Sequence, residues 1–169
     1  MTKSIFSTDA GFWSKVGKTL NHHARRMQQA GRDLQWRMHR RQAQRPIFVI
    51  GCSRAGTTLV YKTLSISPQI GSLNRETHDY WESLHPIAER DWTSHALGAD
   101  DVAASDRRDV SRYFYRHTGR SRFVDKNNQN GLCVAYLNGL FPDAHFVYVK
   151  RSPGDNLNSL MQGWRRPGE

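Results

Sequence analysis

Cysteine is scarce: among 169 residues only Cys52 and Cys133 are thiols, far apart and outside any CxxC or Cys/His spacing. That usage points to neither a disulfide framework nor a zinc site, and a reduced, cytoplasmic setting is the simplest one that fits. Long hydrophobic runs are missing as well. No stretch approaches the roughly eighteen apolar residues that a membrane-crossing helix needs, and the N-terminus lacks the apolar core and small-residue cleavage site of a secretory signal. Neither a span nor Sec export is therefore expected. Acidic residues are few, 15 against 25 Lys and Arg, for a net charge of +10. The excess is local. Residues 1–45 hold ten Lys/Arg and two acids, leaving +8, whereas residues 46–169 hold fifteen and thirteen, leaving +2. Nucleic acid is accordingly the least fitting partner, since the main body is nearly balanced. With 37% apolar and 24% charged residues the chain is not disordered and can build one real core.

Proline is absent from residues 10–42, where Trp13, Val16, Leu20, Ala24, Met27, Leu34 and Met38 recur at spacings of three, four or seven. The pattern predicts one long basic amphipathic helix, a helical extension over residues 1–45 that Pro46 ends. Docking on the chain's own domain by the apolar stripe is the plainest reading. A protein partner, or an anionic membrane surface with Phe12 and Trp13 inserted and Arg25, Arg26, Arg37, Arg40 and Arg41 on the headgroups, fits the same pattern. The expected location is cytoplasmic, with peripheral membrane contact through residues 10–42 as the variant of it.

Residues Pro46 to Thr58 read PIFVIGCSRAGTT, an apolar strand that runs into a glycine-spaced loop opening a helix. Gly51 and Gly56 stand as in a nucleotide-binding P-loop, with Thr57 and Thr58 at the helix start, so free backbone N–H groups can converge on an anion. A P-loop NTPase needs Lys directly after the second glycine. Thr57 stands there, and the cation comes earlier, at Arg54. The loop therefore reads as a phosphate grip without γ-phosphate chemistry.

Further elements follow: helix 57–66, an extended piece near 70–73, helical patterns at 78–89 and 107–118, strand 122–125, helix 130–140, strand 144–150 and helix 154–163. The alternation predicts an α/β fold, a P-loop-like parallel sheet flanked by helices. The run FVYVK suggests a central strand covered on both faces. The stretch from Trp92 to Asp109 has no steady period and reads as a loop. A triphosphatase would end a late core strand in a Mg²⁺-holding aspartate, but here Lys150-Arg151 stand there, ahead of Ser152-Pro153 and a helix carrying Ser159. A guanidinium and a hydroxyl offer a second phosphate grip with no metal ligand.

With these residues the chain resembles the sulfotransferase family, which uses 3′-phosphoadenosine-5′-phosphosulfate (PAPS) as donor. GCSRAGTT at 51–58 is similar to the family's 5′-phosphosulfate loop, and Arg151 with Ser159 eight residues on is similar to its 3′-phosphate motif. VDKNNQNGLCVAYLNGLFPDAHFVYVKRSPGDNLNSL at 124–160 resembles the bacterial and Golgi-type branch. The likeness runs from Pro46 to Leu160, within a nucleotide-binding α/β domain over residues 46–169. It implies transfer of a sulfuryl group to an acceptor hydroxyl or amine, with a carbohydrate, a lipid or another such compound as acceptor and no metal. Arg54, Ala55, Gly56, Thr57 and Thr58 would hold the 5′-phosphate, with Arg54 also stabilising charge on the leaving group. Arg151 and Ser159 would recognise the 3′-phosphate. Glu76, in a Glu-x-His context before His78, would be the base, and Lys126 would stabilise the sulfuryl oxygens or tune that base. Ala55 stands where many relatives have Ser, and Asn127-Asn128 where a Thr-Pro pair often follows the lysine. The family also continues well past the 3′-phosphate helix, so the expectation is a domain short at its C-terminus. A non-catalytic nucleotide-binding or docking fragment is the alternative, and a P-loop kinase the weaker one.

Plainer roles exist for each residue. Arg54 suits a tight turn, Arg151 an ion pair with Asp155, Glu76 a solvated helix start, and Lys126 a solvent-facing side chain. His78 and His85 are alternative bases. Cys52 is expected as a small buried filler, and Trp81, Trp92 and Trp164 as core.

Overall fold

The computed structural model describes residues 9–90 and 94–165, with side-chain environments from residue 18 onward. Phe12, Trp13 and Val16, as side chains, and Trp92 altogether lie outside the described residues. A three-stranded parallel sheet organises the rest, flanked by helices and preceded by helix α1 (Asp9–His39). Strand β1 (Ile47–Ile50) runs into α2 (Thr57–Ser65), followed by α3 (His78–Leu84), α4 (Asp106–Thr118), β2 (Val124–Lys126), α5 (Val134–Leu140), β3 (His145–Tyr148) and α6 (Pro153–Trp164).

The described strand order is β2-β1-β3. Phe48 pairs with Asp125 on one side and Phe146 on the other, so the central strand is β1. This corrects the expectation for FVYVK. β3 lies at the edge with His145 and Tyr148 exposed, because an apolar run records burial of some faces and not the number of neighbouring strands. β1 alternates as a two-sided strand must: Phe48 enters the cluster of Phe114, Phe123, Tyr136, Leu137, Leu140 and Phe141, while Ile47 and Val49 meet Tyr61 and Val124. Phe114 and Phe123 stack with ring centroids 3.7 Å apart. Each such buried ring contributes about 1.5–3 kcal/mol.

Several boundaries shift for local reasons. The extended piece near 70–73 pairs only as a single bridge, Gly71 with Phe123. The pattern at 78–89 divides into α3 and a 3-10 turn, Ile87–Arg90, after the break at His85 and Pro86. The helix expected over 130–140 divides too, into a 3-10 turn at Asn128–Leu132 and then α5, since the Asn127 side chain accepts from Gln129 N at 3.0 Å and caps a separate start. The stretch read as a loop carries a 3-10 turn at Ala99–Asp101.

Helix α1 ends at His39, well short of Pro46. Arg40 takes a left-handed φ of 42° and the Trp36 indole donates to Arg41 O at 2.8 Å, closing the last turn. Its docking overturns the expected one. The face laid on α4 is polar: the Arg112 guanidinium forks onto Asp33 at 2.6 and 2.7 Å, Arg32 donates to His117 O at 2.8 Å, and Tyr115 OH donates to Gln35 Oε1 at 2.9 Å around buried Trp36. The described members of the apolar stripe, Leu20, Ala24, Met27, Leu34 and Met38, are exposed. Arg112 holds the Asp33 carboxyl below the usual carboxylate range against the opposing pull of burial. Asp33→Ala should therefore lower stability by about 1 kcal/mol in denaturant titrations at neutral pH. A depressed folded pKa contributes above the unfolded value and is lost as pH falls through the folded one, so the difference between the two proteins should begin to shrink below about pH 4 and vanish only in stronger acid, under the folded value.

Candidate functional site

The carboxyl end of β1 feeds the loop 51–56, whose shape depends on two glycines. Gly51 has φ 155°, and a Cβ there would lie 2.6 Å from Val149 O, so only glycine lets the loop pass the end of β3. Gly56 sits at the N-cap of α2 with φ 103° and supplies no side-chain cap. The first turn of α2 carries no acid either, so its orphan N–H groups and the positive end of its dipole are left for an anion. Arg54 takes a left-handed φ of 66°, an uncommon conformation for a side-chain-bearing residue.

The second arm follows β3. Ser152 caps α6, accepting from Asp155 N at 3.3 Å and donating to Asp155 Oδ2 at 2.7 Å, with Pro153 at the first helical position. Asp155 is thus engaged by Ser152. Arg151 donates to Arg54 O at 3.0 Å, and Arg54 Nε donates to Ser159 Oγ at 3.3 Å. The two arms therefore meet, and both open on one cleft of about 420 Å³. Arg54, Gly56, Thr57 and Thr58 line it from the loop and α2, Arg151 and Ser159 from β3 and α6. Glu76 and Lys126 complete the wall.

Those last two side chains touch. Lys126, nearly buried at the end of β2, donates to one Glu76 carboxylate oxygen, and the His78 imidazole pairs with the other. Burial pushes the Glu76 carboxyl up, but the hydrogen bonds and charges of Lys126 and His78 outweigh it, and its pKa lies below the usual carboxylate range. Glu76 is ionised at neutral pH. Behind this pair, fully buried Asp125 accepts from Thr77 Oγ1 at 2.7 Å, Trp81 Nε1 at 2.9 Å and Asn130 Nδ2 at 3.1 Å. Consecutive residues of β2 thus hold consecutive residues of the incoming loop: Lys126 holds Glu76 and Asp125 holds Thr77.

The expected residues do not all converge. Ala55 stands outside the cleft, its N–H donated to Cys52 O at 3.1 Å to close the turn. His85 is turned away to Asp106 at 2.8 Å, whose Oδ2 also takes Tyr136 OH at 2.8 Å. Cys52 is exposed, contrary to its expected burial, because β1 ends at Ile50 and Cys52 already belongs to the loop beyond the sheet. Trp164 is exposed near the end of α6, while Trp81 packs against the core. Ser53, and Asn128 of the pair that departs from the family's pattern, line the cleft without having been assigned a role. Their position within the phosphate loop, and directly after Asn127, was the available signal. The buried Asp125 network was also missed, since a lone Asp in a short strand gives no hint of three donors.

A family model described as sulfotransferase family matches residues 46–168. No curated protein and no solved structure matches the chain.

Proposed function

Because the chain belongs to the sulfotransferase family, we propose that it moves a sulfuryl group from PAPS to a hydroxyl or amine of an acceptor molecule. The observation that supports this reading is the convergence on one cleft of an uncapped helix start, two arginines, a serine and a tethered carboxylate. Two separate phosphate grips suit a nucleotide phosphorylated at both the 3′ and 5′ positions. The donor supplies an activated sulfuryl group, whose bond to the 5′-phosphate breaks as a new bond to the acceptor forms, leaving adenosine 3′,5′-bisphosphate.

The residues divide the work by position. The N–H groups at the start of α2 and the Arg54 guanidinium hold the 5′-phosphate and stabilise charge on it. Arg151 and Ser159 hold the 3′-phosphate, and Ser159 Oγ, which accepts from Arg54 Nε, keeps its own O–H to donate to that phosphate. Glu76, ionised and fixed by Lys126, takes the acceptor's proton. Lys126 can shift part of its hydrogen bonding to sulfuryl oxygens. A kinase reading fits less well, because Thr57 follows Gly56 and Lys150-Arg151 stand where a metal-holding aspartate belongs.

Calorimetric titration tests the donor assignment. Adenosine 3′,5′-bisphosphate should bind more tightly than adenosine 5′-monophosphate or Mg-ATP, and Arg151→Ala should weaken it by about tenfold to a hundredfold, the worth of a charge-assisted contact. Equal affinity for all three nucleotides would sink the PAPS assignment. Selective binding without transfer to any acceptor would favour the non-catalytic alternative.

A further inference from the structure

The outward face of α1 combines two properties that seldom coexist on a solvated helix. Leu20, Met27, Leu34 and Met38 are 64%, 77%, 60% and 67% exposed. At the α-helical repeat they fall, with exposed Ala24, within about 80° of arc, a straight apolar strip on the order of 27 Å long. Arg32 and Trp36, which dock the helix, lie roughly opposite. The charge on the extension is almost all of one sign. From residue 18 to 39 the sole acid is Asp33, and it is turned to the docked side in the grip of Arg112, with Arg37 also on it at 3.1 Å. Arg26 and Arg37, both exposed, fall about 100–120° from the strip's centre on one side, Lys18 and Arg25 lie farther round toward the docked face, and the extension as a whole carries ten Lys/Arg to two acids.

We propose that α1 is an interfacial anchor whose outward strip lies on an anionic lipid surface. The apolar side chains would enter the headgroup boundary while Arg26 and Arg37 on one flank reach lipid phosphates and the remaining cations of the extension add longer-range attraction. Around Arg32 to Trp36 the opposite face of the helix is already held by α4, so the domain sits on that end of the helix and the strip remains free for the surface. A second copy is the poorer occupant. Two strips pressed together would bring two extensions, each with ten Lys/Arg against two acids, into one another's field. No described helix is long and apolar enough to cross a membrane, which agrees with a helix lying on the surface.

The full chain should co-sediment with vesicles of equimolar phosphatidylcholine and phosphatidylglycerol, and at least about tenfold less with pure phosphatidylcholine, since each cation near an anionic surface is worth about 1 kcal/mol. Binding should fall as salt rises. Met27→Glu with Leu34→Glu replaces exposed side chains only, so unfolding temperature and bisphosphate binding should hold while vesicle binding drops by about tenfold or more. Equal binding to both vesicle types, no binding to either, or binding unchanged by the two substitutions would each overturn the proposal. A concentration-dependent dimer that the same substitutions dissociate, without vesicle binding, would overturn it in favour of self-association. Bisphosphate binding measured alongside reports separately on the donor cleft, so the two readings can fail independently.

Discussion

Glu76→Gln is expected to lower the rate of sulfuryl transfer by about 10²–10⁴-fold, the usual worth of a positioned general base, with little change in affinity for adenosine 3′,5′-bisphosphate. The amide keeps the shape of the side chain and an oxygen for Lys126, but it has no basic site for the acceptor's proton. Binding should persist because the phosphate grips hang on α2, β3 and α6, whereas Glu76 belongs to the loop before α3. The pH profile adds a second readout. With Lys126 and His78 holding the carboxylate ionised, the acid limb of kcat/KM should lie below about 4.3, the ordinary glutamate value. Lys126→Met removes a cation that favours the charged form. His78 is then left alone against burial, the Glu76 pKa rises, and the acid limb should move to higher pH. Full activity in Glu76→Gln would remove Glu76 as the base and leave His78, which shares the same carboxylate, as the next residue to replace.

Much of this cleft was legible in the chain because its parts are local. Gly51 and Gly56 announce a loop of fixed shape, Thr57 and Thr58 a helix start, and Arg151 and Ser159 lie eight residues apart on one strand-to-helix junction. The order of strands and helices followed from periodicity for the same reason. What stayed hidden depends on partners distant in sequence. The stripe of α1 was read correctly as apolar and wrongly as docked, because the true docking face is held by Arg112, Tyr115 and His117 O, none of which leaves a trace in the helix's own pattern. The edge position of β3 was hidden likewise, since Phe146 and Val147 look the same with one neighbouring strand or two. The tethering of Glu76 by Lys126 joins two residues that the family likeness marks separately, and it is the bridge of Gly71 with Phe123 that lays the segment leading to Glu76 beside β2.

Asp125→Ala should be among the most damaging substitutions outside the cleft wall. It would strand the Thr77 hydroxyl, the Trp81 indole N–H and the Asn130 amide at once in a fully buried site, at a cost of about 3–5 kcal/mol. Asp125→Asn should be milder, about 1–2 kcal/mol. Trp81 and Asn130 both donate to Oδ2, and an amide oxygen placed there can still accept from them. The amide nitrogen then meets Thr77, whose hydroxyl can rotate and accept. The charge also leaves a signature. Burial raises the Asp125 pKa despite its three donors, so the folded state binds the proton more readily than the unfolded chain. Wild-type stability should therefore fall as pH rises from the unfolded value near 3.9 through the higher folded one, and Asp125→Asn, neutral throughout, should lose that slope. Function should follow the clamp. Thr77 adjoins Glu76 and Asp125 adjoins Lys126, so loosening one rung misplaces the other, and even the soluble Asn variant should lose transfer rate by about tenfold or more. Its bisphosphate affinity should stay near wild type, because Arg54 and Arg151 are carried by the loop after β1 and the end of β3. An equal loss of donor affinity and transfer rate would show instead that Asp125 supports the whole sheet and gives the transfer residues no particular register.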